Sequence, residues 1–233
     1  MSAVLRSEID TMSAVARYNP YIIVHKGLRA FMTDVLMRWG RLDALDDGEI
    51  MEAHEQATAL FAQCVSHLKH ENEFIHTAIE RVRPGFTAQL AREHVQHEVE
   101  IKRLQALLGE VMAAPLQDRR ALANRFYQEL SVFIAENFEH MVVEETENFR
   151  ALTEAFSEAE VLAIEHAIVA SLTPEESMAG LRWMIGSSNA GERAFILGGM
   201  KAGAPPEAFA AVMQLAREVL TQRDYYKLER ALA

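Results

Sequence analysis

His67-Leu68-Lys69-His70-Glu71 sets a histidine four residues before a glutamate, and His140-Met141-Val142-Val143-Glu144 repeats that spacing further along the chain. On an α-helix, residues four apart lie one above the other on the same face. Each stretch therefore offers an imidazole nitrogen and a carboxylate oxygen to one point beside its helix. Such a mixed N,O donor set suits iron, manganese or zinc. Two flanking segments add histidines, His25 upstream and His94 with His97 between the repeats. Four helices that each supply ligands, two of them in pairs, describe a dinuclear metal site inside a four-helix bundle.

The surrounding sequence fits this arrangement. Helical periodicity predicts long helices over about Pro20–Arg38, Glu49–Val82, Thr87–Met112 and Gln117–Phe156. Asp43–Gly48, Pro84-Gly85 and Pro115 mark the turns between them. Along the second helix, Leu60, Cys64, His67, Glu71, Phe74 and Ala78 follow the alternating three-and-four spacing of a buried seam. The third reads Leu90, His94, His97, Ile101, Leu104, and the fourth Leu130, Phe133, Asn137, His140, Glu144. A carboxylate on a buried seam is costly unless something positive compensates it. Finding two such carboxylates, each paired with a histidine, points to metal ligands rather than to misplaced surface residues.

A short helix is expected over Ser2–Arg17. After Phe156 the elements shorten: helix starts at Ser157 and Thr173, then helices over about Asn189–Met200, Pro206–Val219 and Thr221–Leu232. The expected fold is all-α, an antiparallel four-helix bundle with a C-terminal appendage of short helices. The expected division is 1–156 for the bundle with its short leading helix and 157–233 for the extension.

Some assignments stay open in the sequence. On the third helix His94 ranks first, since Glu98 follows it at the same four-residue spacing; His97 is the alternative and Glu98 an additional ligand. On the fourth, Glu145 competes with Glu144, because a small rotation of the helix exchanges them. His70 and His76 sit off the seam and read as surface or supporting residues. Cys64, one turn before His67, reads as a small buried apolar residue.

Composition narrows the class. There are 34 acidic and 23 basic residues, a formal net charge of -11, which argues against nucleic acid as a partner. Cys64 is the only cysteine, so no intrachain disulfide forms, and a reducing, cytoplasmic setting is expected. No signal-peptide pattern and no apolar run of membrane-spanning length are expected to place the chain in or across a membrane. No phosphate-binding glycine loop, zinc-type cysteine pair or serine nucleophile elbow is present.

His25, His67-xxx-Glu71, His94 and His140-xxx-Glu144 together resemble the hemerythrin-like, or HHE cation-binding, family, over about Tyr18–Phe156. That resemblance implies a non-haem di-iron centre bridged by the two glutamates. Its ligands would be O2, NO or peroxide, in a sensing, protective or redox role. A di-iron oxidase or oxygenase acting on a small organic substrate is the alternative within the same chemistry, and a metal-free helical interaction protein the alternative outside it. The oxygen carriers of this family place two histidines four apart on the third helix, where this chain has His94 and Glu98. On the fourth helix they use a carboxylate five after the histidine, the position of Glu145. A site richer in carboxylate holds ferric iron more strongly and favours oxidation over reversible oxygen carriage.

Overall fold

The computed structural model describes residues 17–233, which are helical almost throughout and contain no strand. The helix expected over Ser2–Arg17 lies, apart from Arg17, outside the described residues. Asn19 caps α1 (Pro20–Arg41): its side chain accepts the Tyr21 N–H at 3.1 Å, and Pro20 occupies the first turn, where its missing N–H costs nothing. Asp46 caps α2 (Asp47–His70) by accepting from the Gly48 and Glu49 N–H groups.

At Glu71 the helix changes gauge. A π-helical segment, Glu71–His76, carries the chain into α3 (Thr77–Val82). Gly85, at φ 84°, turns the chain into α4 (Ala88–Ala113). The Glu80 carboxylate accepts from the Gly85 N–H, the Thr87 N–H and the Thr87 hydroxyl, and so fastens this turn. Ala114-Pro115 connect α4 to α5 (Leu116–Val143). There the gauge changes again, with a second π segment, Glu144–Asn148, ahead of α6 (Phe149–Ala155). The two continuous helices expected over Glu49–Val82 and Gln117–Phe156 are thus each interrupted. Hydroxyls serve the carbonyls displaced by the wider turns. Thr77 Oγ1 donates to the Asn72 carbonyl, and Thr146 Oγ1 to that of Val142.

The chain forms two compact units. Among the described residues, the first takes 17–21 together with Phe31–Ala170; the second takes Ile22–Ala30 and Ser171–Ala233. In the first unit α4 packs on both α2 and α5, and α3 packs on α6. Two apolar clusters lie at different heights along these helices. Trp39, Phe61, Phe126 and Phe133 make one, with ring centroids 4.2 Å apart for Trp39–Phe126 and 6.2 Å for Phe61–Phe133. Tyr21, Ile75, Ile79, Phe149, Leu152 and Val161 make the other. Each fully buried Leu, Ile or Phe contributes about 2 kcal/mol. His67, Glu71, His140 and Glu144 fall between the members of the two clusters along the chain.

Val161, Ile164 and Ile168 of α7 (Glu158–Ser171) join the second cluster. The division therefore falls at Ala170, one helix later than the expected boundary after Phe156.

The second unit is built from α8 (Pro174–Ser187), α9 (Ala190–Gly203), α10 (Pro206–Val219) and α11 (Gln222–Leu232). Thr173 with Glu176 and Asn189 with Glu192 close reciprocal capping boxes at α8 and α9. Leu181, Ile185, Leu197, Val212 and Leu228 form the core, with Met178, Met184, Met200 and Met213 filling its margins. Buried Arg193 donates from Nε to the Ile185 carbonyl at 2.9 Å, which ties α9 to the end of α8. Among the described residues, no helix is long and apolar enough to cross a membrane.

Candidate metal centre

Each π segment begins on the glutamate of a His-xxx-Glu pair. The α-helical turn before it keeps histidine and glutamate on one face. His67 Nε2 lies 3.2 Å from Glu71 Oε1, and His140 Nε2 lies 3.2 Å from Glu144 Oε1. The two pairs converge through His94, whose Nε2 is 2.9 Å from His140 Nε2, 3.4 Å from Glu144 Oε1 and 3.7 Å from Glu71 Oε2. Glu71, His94, His140 and Glu144 are all buried, Glu144 completely.

Two groups of side chains can hold a metal ion. His67, Glu71 and Glu144 bring one ligand atom each within 4.8 Å of one another, as do His76, His94 and Glu144; His25 is fully buried on α1, in the Ile22–Ala30 segment of the second unit. A metal about 2.1 Å from its ligands sets neighbouring ligand atoms about 3.0–3.4 Å apart in octahedral or tetrahedral geometry. Both His-xxx-Glu separations and the His94–Glu144 separation fall in that range. The donor set and its spacing therefore fit a metal ion.

Hydrogen bonds orient the imidazoles. His94 Nδ1 lies 2.9 Å from Asn72 Oδ1, and His140 Nδ1 lies 2.8 Å from Glu93 Oε2. An acceptor at each Nδ1 places the ring proton there and turns the Nε2 lone pair inward, as metal-binding histidines require. Two lone pairs cannot face each other at 2.9 Å without a positive charge between them, either a proton or a metal ion. Burial alone would lower the pKa of His140. The Glu144 carboxylate, with the hydrogen bonds that Glu144 and Glu93 accept, overrides burial and holds His140 up at about 9. Tyr21 reports the same field: burial, then the charges of Glu144 and Glu71, push its phenol well above the ordinary value.

His94, rather than His97, brings its nitrogen to the carboxylates. His97 is also buried, but its ring packs edge-on against His140 and Phe133, with centroids 4.8 and 6.2 Å away. Burial, then the neighbouring His140 and His94, lower its pKa to about 4. Glu98 and Glu145 are half-buried and supply no atom to either group. The Glu145 backbone carbonyl accepts from the Asn19 side chain.

The two histidines read as surface or supporting residues are both interior. His70 is 7 % exposed and stacks on Phe74; His76 is 4 % exposed and stacks on His94. The burial of His76 follows from the π segment, which shifts the helix face from Glu71 onward; His70 lies in α2, ahead of that shift. Asn72 and Glu93 were not singled out in the sequence, although each is adjacent in the chain to a candidate ligand, Glu71 and His94 respectively.

Compared with known proteins, the chain matches no family model, no curated protein and no solved structure.

Proposed function

We propose that this chain is a hemerythrin-like di-iron protein that binds or reacts with O2, NO or peroxide in a sensing, protective or redox role. In this reading α1, α2 with α3, α4, and α5 with α6 form an antiparallel four-helix bundle. His25, His67, Glu71, His94, His140 and Glu144 would hold the two irons. One observation carries the proposal: both His-xxx-Glu pairs converge on His94 within a single buried space. Glu144 belongs to both potential ligand groups, as a bridging carboxylate would.

Iron bound there would supply electron exchange with a small oxygen or nitrogen ligand. The chain's own residues set the conditions for it. Asn72 and Glu93 hold the His94 and His140 rings with Nε2 turned inward. Tyr21, kept protonated, presents a neutral phenol beside two carboxylates and accepts from Asn148 at 3.3 Å. The burial of Glu71, His94 and Glu144 limits water, which strengthens every electrostatic interaction among them.

The test is anaerobic loading of the purified chain with Fe2+, followed by metal analysis. Near-stoichiometric binding of a metal pair is expected, and His67→Ala or Glu71→Ala should lower it. Exposure to O2 and then its removal separates carriage, a reversible spectral change, from irreversible oxidation. The proposal fails if the chain takes up neither iron nor another transition metal, such as zinc or manganese. It fails equally if both variants keep full occupancy.

A further inference from the structure

The imidazole of His76 has no role in the ligand set above, and its surroundings do not account for it as packing. It is 4 % exposed, and neither ring nitrogen has a hydrogen-bond partner among the described residues. A buried donor or acceptor without a partner is unfavourable, and an apolar side chain of similar size carries no such cost. The ring stacks on His94, with centroids 4.9 Å apart and planes inclined by 18°. One of its nitrogens lies within 4.8 Å of the ligand atoms of both His94 and Glu144. Two ligands on opposite sides of one ion are separated by about 4.2 Å. A modest rotation of the ring is therefore enough for His76 to share an ion with those residues.

The local backbone accounts for its reach. Five residues along a regular α-helix leave His76 about 140° around from Glu71, on a different face. The π segment Glu71–His76 replaces that geometry with one in which residues five apart are stacked. His76 is thereby returned to the face that Glu71 presents.

We propose that His76 is an additional metal ligand, sharing one metal position with His94, His140 and Glu144 and making that position richer in nitrogen than the other. This rests on the dinuclear reading above. Its consequence is inequivalence. Imidazole-rich sites suit Fe2+ and Zn2+, so the position with three histidines should fill first and empty last.

The experiment uses the full chain, stripped of metal and titrated with Zn2+ against a competing chelator, beside His76→Phe and His67→Ala. Phenylalanine keeps a ring against His94 and removes both nitrogens. His76→Phe should still take up metal, but with one binding step weakened at least about 10-fold. The visible spectrum of the Co2+ form should change for that step alone. In the metal-free state the variant should melt no lower than wild type, because two unpartnered nitrogens are gone. Nitrogen-15 NMR of the wild-type imidazoles with Zn2+ needs no variant to fold: a His76 ring nitrogen should shift on metal binding. Wild-type affinity in both steps for His76→Phe, or an unmoved His76 resonance in a chain that does bind metal, overturns the assignment while leaving the dinuclear reading intact. A wild-type chain that takes up no metal overturns both.

Discussion

Removing the Glu93 carboxylate tests whether the orientation of His140, and not just its presence, builds the site. Glu93 Oε2 accepts from His140 Nδ1 at 2.8 Å, the length of a charge-assisted hydrogen bond. Burial would raise the pKa of Glu93, but hydrogen bonds from Gln89 and His140 and the charge of His140 hold it below the ordinary value, so it is ionised at neutral pH. With Glu93→Ala, the Nδ1 proton loses its fixed acceptor. The alternative tautomer, with the proton on Nε2, then competes and blocks the lone pair that faces Glu144. A partner of this kind contributes about 10- to 100-fold to metal affinity. Here the carboxylate is 37 % exposed, so water screens it and can replace it in part. The expected loss therefore lies at the lower end, about 10-fold or ~1.4 kcal/mol. Glu93→Gln keeps a carbonyl oxygen able to accept from Nδ1 and loses only the charge, so its loss should be smaller. Competitive Zn2+ titration of the three proteins gives the order directly. Wild-type affinity in Glu93→Ala would refute the argument from tautomer control. Equal losses in the alanine and glutamine variants would show that charge, not ring orientation, matters.

Two further outcomes concern the rest of the first unit. Burial pushes the Cys64 thiol up to about 12, leaving almost no thiolate at neutral pH. Alkylating reagents should leave it unmodified in the folded chain and label it fully in denaturant, as read by mass spectrometry. Glu80 is held below the ordinary carboxylate pKa by the hydrogen bonds it accepts from Gly85 and Thr87. Its stabilisation is complete above the ordinary value and is lost as pH falls through the lower folded value. Urea unfolding of Glu80→Ala should therefore show a lower midpoint than wild type at neutral pH, with the gap narrowing in acid; a gap constant with pH would contradict the assignment.

The long helices could be read from sequence because Pro20, Pro84-Gly85 and Pro115 punctuate them and seam residues recur at helical spacing. The two His-xxx-Glu pairs are legible for the same reason: the turn from histidine to glutamate is α-helical, and each π segment begins only at the glutamate. Other parts were hidden by identifiable physics. A π turn inserts a single residue per turn and leaves no compositional mark, so the seam expected to continue through Phe74 and Ala78 runs instead through Ile75 and Ile79. Asn72 and Glu93 look like any polar residue on a helix; only the fold sets them against the outer nitrogens of His94 and His140. The placement of α7 did leave a trace. Val161, Ile164 and Ile168 form an apolar stripe at helical spacing, which marks a helix with a core to cover. No such signal announces that Ile22–Ala30, inside an unbroken helix, groups with the C-terminal residues.

The two π segments also provide an internal comparison. Five residues after Glu71 the chain has His76, and five residues after Glu144 it has Phe149. Both are interior, at 4 % and 2 % exposure. Phe149 packs in the apolar cluster with Ile75, Ile79 and Leu152, so an aromatic hydrocarbon suffices at that point of a π turn. At the equivalent point after Glu71 the chain has an imidazole instead, with two buried nitrogens that no group among the described residues satisfies. The same backbone device with different side chains separates what packing requires from what it does not. Packing requires a ring; it does not require the nitrogens, and the ligand atoms of His94 and Glu144 beside them give those nitrogens a use.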